Sequence, residues 1–131
     1  MIQHHTFVNI TDNSGVQEAQ CIKILGGSKK TIGVLGDIIV VAIKKIIKKT
    51  TKKHEKDKKR IKQGDVCKAI IIQTNKNTTR LDGRQLIFNK NAVILLNANG
   101  SPIATRIRGT LSRELRTKNF IKILSLAKKI I

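Results

Sequence analysis

Two apolar runs restrict this chain more than anything else in it. One is Asp37-Ile-Ile-Val-Val-Ala-Ile43, and the other lies within Gln63-Gly-Asp-Val-Cys-Lys-Ala-Ile-Ile-Ile72. Both follow a Gly-Asp pair, both are rich in β-branched residues, and both are too short for ordinary helices. They read as strands. Their nearly continuous apolar character predicts burial on both faces, or close to it, as in a small closed sheet.

Between them runs a lysine-dense segment, Lys44 to Lys62, with ten Lys, one Arg and two acids in nineteen residues. The expected plan is two core strands that hold out a basic arm, about residues 44–63. The whole chain carries +19 over 131 residues, so +10 remains once the +9 of the arm is set aside. The globular part must therefore face a polyanion as well, whether RNA, DNA or an anionic membrane. The blander alternative for the arm is a solvated surface segment. At this length, with 40% hydrophobic residues, one domain spanning residues 1–131 is expected.

In chain order, residues 2–10 read as an edge strand, and Thr11-Asp-Asn-Ser-Gly15 as a turn. Ala19 to Leu25 reads as a strand with Cys21, Lys23 and Leu25 on one face and Ile22 and Ile24 on the other. The Gly26-Gly-Ser-Lys-Lys30 loop can cradle a phosphate through its backbone N–H groups, but lacks nucleotide P-loop spacing. Beyond the arm, Asp82-Gly83 predicts a hairpin turn, with strands over Arg84 to Asn89 and Ala92 to Leu96. Asn97 to Pro102 forms another turn cluster. Five or six short strands at such intervals favour a small barrel over a sandwich. The tail, about 110–131, changes period. Ser112 can cap a helical turn, and Phe120, Ile123, Leu124 and Ala127 form a helical stripe. With Lys118, Lys122, Lys128 and Lys129 alongside, the stripe suits either a membrane-surface helix or a helix that caps the barrel, and the barrel core favours the cap.

The pattern excludes several function classes. His4, His5 and His54 have no partner spacing for a metal or a catalytic triad, and Asp37 and Asp65 belong to matching Gly-Asp turns at strand ends. No enzyme, cofactor or small-molecule substrate is expected. Cys21 and Cys67 sit in apolar runs as core residues. Met1 to Ile10 lacks the basic and apolar regions of a signal peptide, and no run approaches a membrane span. Without an Arg- and Ser-rich presequence, an organellar location requires synthesis inside the organelle. Heavy use of Ile, Lys and Asn fits an A/T-rich genome of that kind.

Three Phe with no Trp or Tyr leave no platform for stacking unpaired bases, and twenty Lys to seven Arg favour point-charge phosphate contacts over base readout. A structural RNA recognised through its backbone is the expected partner. Candidate phosphate ligands are Lys23, Lys29 and Lys30, then Lys44, Lys45, Lys48, Lys49, Lys52 and Lys53 on the arm, then Arg80, Arg84, Arg108, Arg113 and Arg116. Arg106 and Arg108 alternate with Thr105 and Ile107, and Lys122 lies off the apolar stripe, so Thr105, Arg106 and Lys122 are expected to form an exposed contact patch.

Ten stretches, in order along nearly the whole chain, resemble the universal large-subunit ribosomal protein family fourteen. They are Met1-Ile-Gln, Asp12-Asn-Ser-Gly15, Cys21-Ile-Lys-Ile-Leu-Gly-Gly-Ser28, Gly36-Asp-Ile-Ile39, Gly64-Asp-Val66, Asp82-Gly83, Asn91-Ala92, Thr105-Arg106, Arg113-Glu-Leu-Arg116 and Phe120-Ile-Lys-Ile-Leu-Ser-Leu-Ala127. The resemblance implies a five-stranded β-barrel with a protruding ribbon and short C-terminal helices, seated on large-subunit rRNA at the subunit interface. It also implies bridges to small-subunit rRNA, contact with a neighbouring protein of the bacterial-type nineteenth family, and docking of a ribosome-silencing factor on the Thr105, Arg106 and Lys122 surface.

The chain departs from the family pattern at three places. The segment near Ile46 to Gln63 is longer and has neither Pro nor Gly, so both a ribbon and a short helix stay open for the arm. Lys128-Lys129 replaces Pro-Glu, and Val16-Gln-Glu18 stands where basic residues are usual. The resemblance and the composition together predict an organelle-encoded member, mitochondrial ahead of plastid. The rival reading is a free architectural protein on organellar DNA.

Overall fold

The computed structural model describes residues 1–47 and 61–131. Five strands close into a barrel in the order β1-β2-β3-β4-β7: β1 is Phe7–Ile10, β2 Val16–Ile24, β3 Ile38–Ile46, β4 Val66–Gln73 and β7 Ala92–Leu96. Neighbours are antiparallel except β1 and β7, which close the barrel in parallel through Asn9–Ala92 and Ile10–Val93. A small hairpin, β5 (Thr78–Thr79) and β6 (Gln85–Leu86), interrupts the β4-to-β7 connection. Beyond the barrel come β8 (Ile107–Leu111), a 3₁₀ turn at Arg113–Leu115, α1 (Ile121–Ser125) and β9 (Ala127–Ile130).

The two apolar runs are the central strands β3 and β4, paired from Ile38–Ile70 to Ala42–Val66. Their Gly-Asp turns have one geometry. Asp37 N–H donates to the Val34 carbonyl while its Oδ2 accepts the Val34 N–H, and Asp65 does the same with Lys62. Each turn places glycine at positive φ, +78° at Gly36 and +90° at Gly64, where a Cβ would be strained. The aspartates thus stand at the starts of strands.

Burial differs between the runs. In β3 only Ile39, Val41 and Ile43 are fully covered, facing the barrel interior. In β4 both faces are covered: Ala69 and Ile71 point inward, while Ile70 and Ile72 join a second core with Ala92, Ile94 and Leu96 of β7 and Ile107, Leu111, Leu115, Ile123 and Leu124 of the tail. Burying a large aliphatic side chain contributes about 1.5–3 kcal/mol, so the outer flank of β4 and β7 needs this cover. The tail lies on the barrel's side, not across its mouth.

Three expectations need correction. The β2 alternation breaks at a bulge between Cys21 and Lys23, so Cys21 and Ile24 are buried while Ile22 and Lys23 both face solvent. The strand expected over Arg84 to Asn89 is only Gln85–Leu86, after which Phe88 turns in to pack against the core and donates its N–H to the Thr74 carbonyl. The helical stripe ends early. Leu126 closes α1, and Ala127–Ile130 runs as a strand parallel to β8, because Leu111 and Ile107 offer a ladder to pair with.

Candidate nucleic-acid interface

The exposed cations are set out by these local features. The β2 bulge turns Lys23 outward. After it comes the Gly26–Lys30 loop, where Gly26 holds φ +108° and Lys30 N–H donates to the Gly27 carbonyl. Lys29 projects freely, whereas Lys30 folds back onto Asp37 at 2.8 Å. Lys44 and Lys45 sit at the root of the arm, exposed in succession where β2 and β3 slip register opposite Glu18. Lys48, Lys49, Lys52 and Lys53 lie outside the described residues, as does the question of ribbon or helix for the arm.

In the second half, Arg80 is drawn inward. Its Nε donates to Glu114 Oε1 at 2.5 Å, and its Nη2 donates to Glu114 Oε2 and to the Ile131 carbonyl. It braces the small hairpin against the tail. Arg84 pairs with the adjacent Asp82 carboxylate. Arg108, Arg113 and Arg116 are exposed.

Thr105 and Arg106 are presented by the Asp12–Gly15 turn. Asn13 Oδ1 accepts both of their N–H groups, and Asn13 Nδ2 donates to the Thr105 hydroxyl. Asp12 ties the same turn to the barrel by accepting the Leu95 N–H. Lys122 is exposed on α1, next to the buried Ile123 and Leu124.

Asp12, Asp37, Asp65, Asp82 and Glu114 are occupied within the fold. Asp37 is 7% exposed and holds two ammoniums, Lys30 and Lys118. Burial alone would push its carboxyl up, but those two lysines and the Val34 N–H outweigh it and leave the group below its ordinary value. Burial likewise raises Glu114, and the Arg80 guanidinium overrides it to hold the carboxyl low. Of the nineteen Lys and Arg among the described residues, only Lys30, Lys118, Arg80 and Arg84 are in ion pairs among those residues. The remaining fifteen face outward or line the surface with no such carboxylate partner, which gives a cationic exterior.

Sequence reasoning passed over Lys118 as a partner of Asp37. It also left out Lys62, Lys68, Lys76 and Lys90, all exposed. Lys68 carried a signal: it lies two residues from Val66, on the outward side of β4 before both faces become covered.

With this fold and surface in place, comparison with known families gives a match over the whole chain. The model of the ribosomal protein L14p/L23e family matches residues 1–131. The chain belongs to that family. L14p/L23e proteins are structural, non-catalytic constituents of the large ribosomal subunit that bind rRNA alongside neighbouring ribosomal proteins. The barrel, the paired acids and the unpaired outer cations of this L14p/L23e chain suit that role, because phosphate is a ligand that asks only for charge and donors.

Proposed function

We propose that this L14p/L23e chain sits on large-subunit rRNA at the subunit interface of an organellar, mitochondrial ribosome, where it bridges to small-subunit rRNA. The observation that carries this reading is the placement of Arg106 and Lys122. Both are exposed on the layer that covers β4 and β7, and neither has an acidic partner among the described residues. That leaves Thr105, Arg106 and Lys122 for a surface outside the chain, whether the other subunit's phosphates or an acidic silencing factor. The phosphate ligands toward the large subunit are Lys23, Lys29, Lys44, Lys45, Arg108, Arg113 and Arg116, with the arm lysines Lys48, Lys49, Lys52 and Lys53. Lys30, Arg80 and Arg84 keep spare donors for the same task. The bacterial-type nineteenth protein is the neighbour in this reading, and the Ile-, Lys- and Asn-rich composition supports an organellar origin.

The test changes Arg106 and Lys122 together to Ala. The expected result is normal incorporation into large subunits, with weakened binding of silencing factor to isolated subunits and weakened subunit joining. Failure to incorporate, with factor binding spared in the subunits that do form, would make the patch an RNA anchor. Sedimentation of the protein with mitochondrial large subunits after DNase treatment separates this role from free packaging of organellar DNA.

A further inference from the structure

Two of the three Phe residues are taken up by the fold: Phe88 packs against the barrel core and Phe120 against the second core. Phe7 is not. It is 54% exposed on the outer face of β1, and strand register sets what lies beside it. Phe7 pairs with Gln20, Gln20 with Ala42, and Ala42 with Val66, so these four side chains form one outward row across β1, β2, β3 and β4. The row spans three strand spacings, about 14 Å, and the exposed Val66 closes its far end. The next outward row, Lys23–Val40–Lys68, puts a lysine one strand to either side of a half-buried valine. The β2 bulge supplies part of this surface. By breaking the alternation after Cys21 it turns both Ile22 and Lys23 outward, two and three residues along from Gln20.

The chain ahead of β1 is fastened to that bulge. His4 Nδ1 lies 2.8 Å from the Ile22 carbonyl oxygen, the His5 N–H donates to the Cys21 carbonyl at 2.8 Å, and the Cys21 N–H donates to the Thr6 carbonyl at 2.9 Å. Phe7 therefore stands on a fixed backbone with its ring half in solvent.

An exposed ring on apolar ground, with cations one row away, suits a planar group tied to a negative charge. Lys23 and Lys68 have no ion-pair partner among the described residues, and the acid on this side, Glu18, stands opposite Lys45. The centre of a protein–protein interface is poor in lysine. An unpaired nucleotide uses both the ring and the lysines.

We propose that Phe7 stacks on an unpaired base of the large-subunit rRNA while Lys23 and Lys68 take the phosphates beside it. This rests on the rRNA-binding role and adds a base contact to it, where composition alone promised phosphate contacts.

The test uses the full chain with in vitro transcribed large-subunit rRNA. Phe7→Ala should weaken binding about tenfold, and Phe7→Leu, which keeps apolar bulk without a π-face, should weaken it nearly as much. Neither should change the slope of log affinity against log salt. Lys23→Gln and Lys68→Gln should each lower that slope by about 0.7. The chain has no Trp or Tyr, so Phe7→Trp places the sole indole at the site. That variant should keep its affinity for the rRNA. Its emission should be quenched by oligoadenylate at low salt and not by fully paired RNA.

Unchanged affinity in both Phe7→Ala and Phe7→Leu, with a steep wild-type salt response, would overturn the stacking while rRNA binding stands. A wild-type affinity indifferent to salt would instead remove the RNA reading itself. Loss in Phe7→Ala with full affinity in Phe7→Leu would make the contact merely apolar and overturn stacking. Normal rRNA binding by Phe7→Ala with failed incorporation into large subunits would assign the face to a protein neighbour. Equal quenching by paired RNA, or slopes unmoved in both lysine variants, would likewise sink the assignment. Should Phe7→Ala prove less stable, Phe7→Trp quenching still decides.

Discussion

Asp37 shows how one residue can join three parts of the chain. It opens β3, takes Lys30 from the glycine loop, and takes Lys118 from the tail at 3.0 Å. Its folded-state value lies below the ordinary 3.8, so between the two values the unfolded chain binds more protons. The clamp is therefore fully present above about pH 4 and is lost as pH falls through the depressed value. Glu114, lowered from 4.5 by Arg80, acts in the same direction. Thermal scans from about pH 6 down to pH 3 should show the wild-type midpoint falling. Asp37→Asn should be less stable by about 2 kcal/mol at neutral pH, with a shallower acid slope, because its lysines can retreat to solvent. An equally steep acid slope in the variant would assign the pH dependence to other carboxyls. Gly33 makes a different residue-scale case. A methyl group there would lie 2.6 Å from Ile71 Cδ1 in the barrel core. Gly33→Ala should cost about 1–3 kcal/mol. Ile71→Val removes that Cδ1, so a double-mutant cycle by denaturant unfolding should show recovery of part of the loss. The cysteines need no such test of pairing: Cys21 and Cys67 both lie opposite Val41, one strand away on either side. Two strand spacings of about 4.8 Å exceed the reach of a disulfide, and burial raises both thiols.

At the scale of elements, what a segment becomes depends on what it lies against. The tail stripe has helical spacing, yet Ala127 enters β9 because β8 presents an open ladder beside it. The bulge in β2 comes from closing a five-stranded barrel, where strong local twist has to be accommodated. The arm is the converse case. Up to Ile46 and again from Ile61, the chain packs partly against the barrel core. Replacing residues 48–60 with a short Asn-Gly turn should leave unfolding cooperative and shift the thermal midpoint little, since loop closure depends only weakly on length. Extending the replacement through Ile61 should lower the midpoint measurably by calorimetry. Loss of a cooperative transition in the shorter replacement would show that the arm itself is part of the core.

For the whole molecule, charge and core divide the work. Three carboxylates, Asp37, Asp82 and Glu114, engage four cations among the described residues, and the rest of the surface keeps a large positive excess within the chain's +19. Affinity for large-subunit rRNA should fall by about 0.7–0.9 log unit per log unit of salt for each phosphate contact, measured by filter binding across a salt series. A flat response would contradict backbone recognition. Much of this was legible beforehand. The two Gly-Asp openings, the β-branched runs, the Asp82-Gly83 turn and the Ser112 cap are local signals, set by backbone sterics and short-range hydrogen bonds. Net charge and the shortage of aromatics bounded the partner in the same way, because they are properties of composition. Other features had no local signal. That Ile70 and Ile72 face a second core, and that Arg80 and Lys30 turn inward while Arg108 stays outward, depend on contacts between residues far apart in the chain. Sequence alone determined which segments could pair and that the surface would be cationic. Tertiary structure decided which cations remain free for RNA, because an ion pair such as Lys118–Asp37 exists only once barrel closure brings its two ends together.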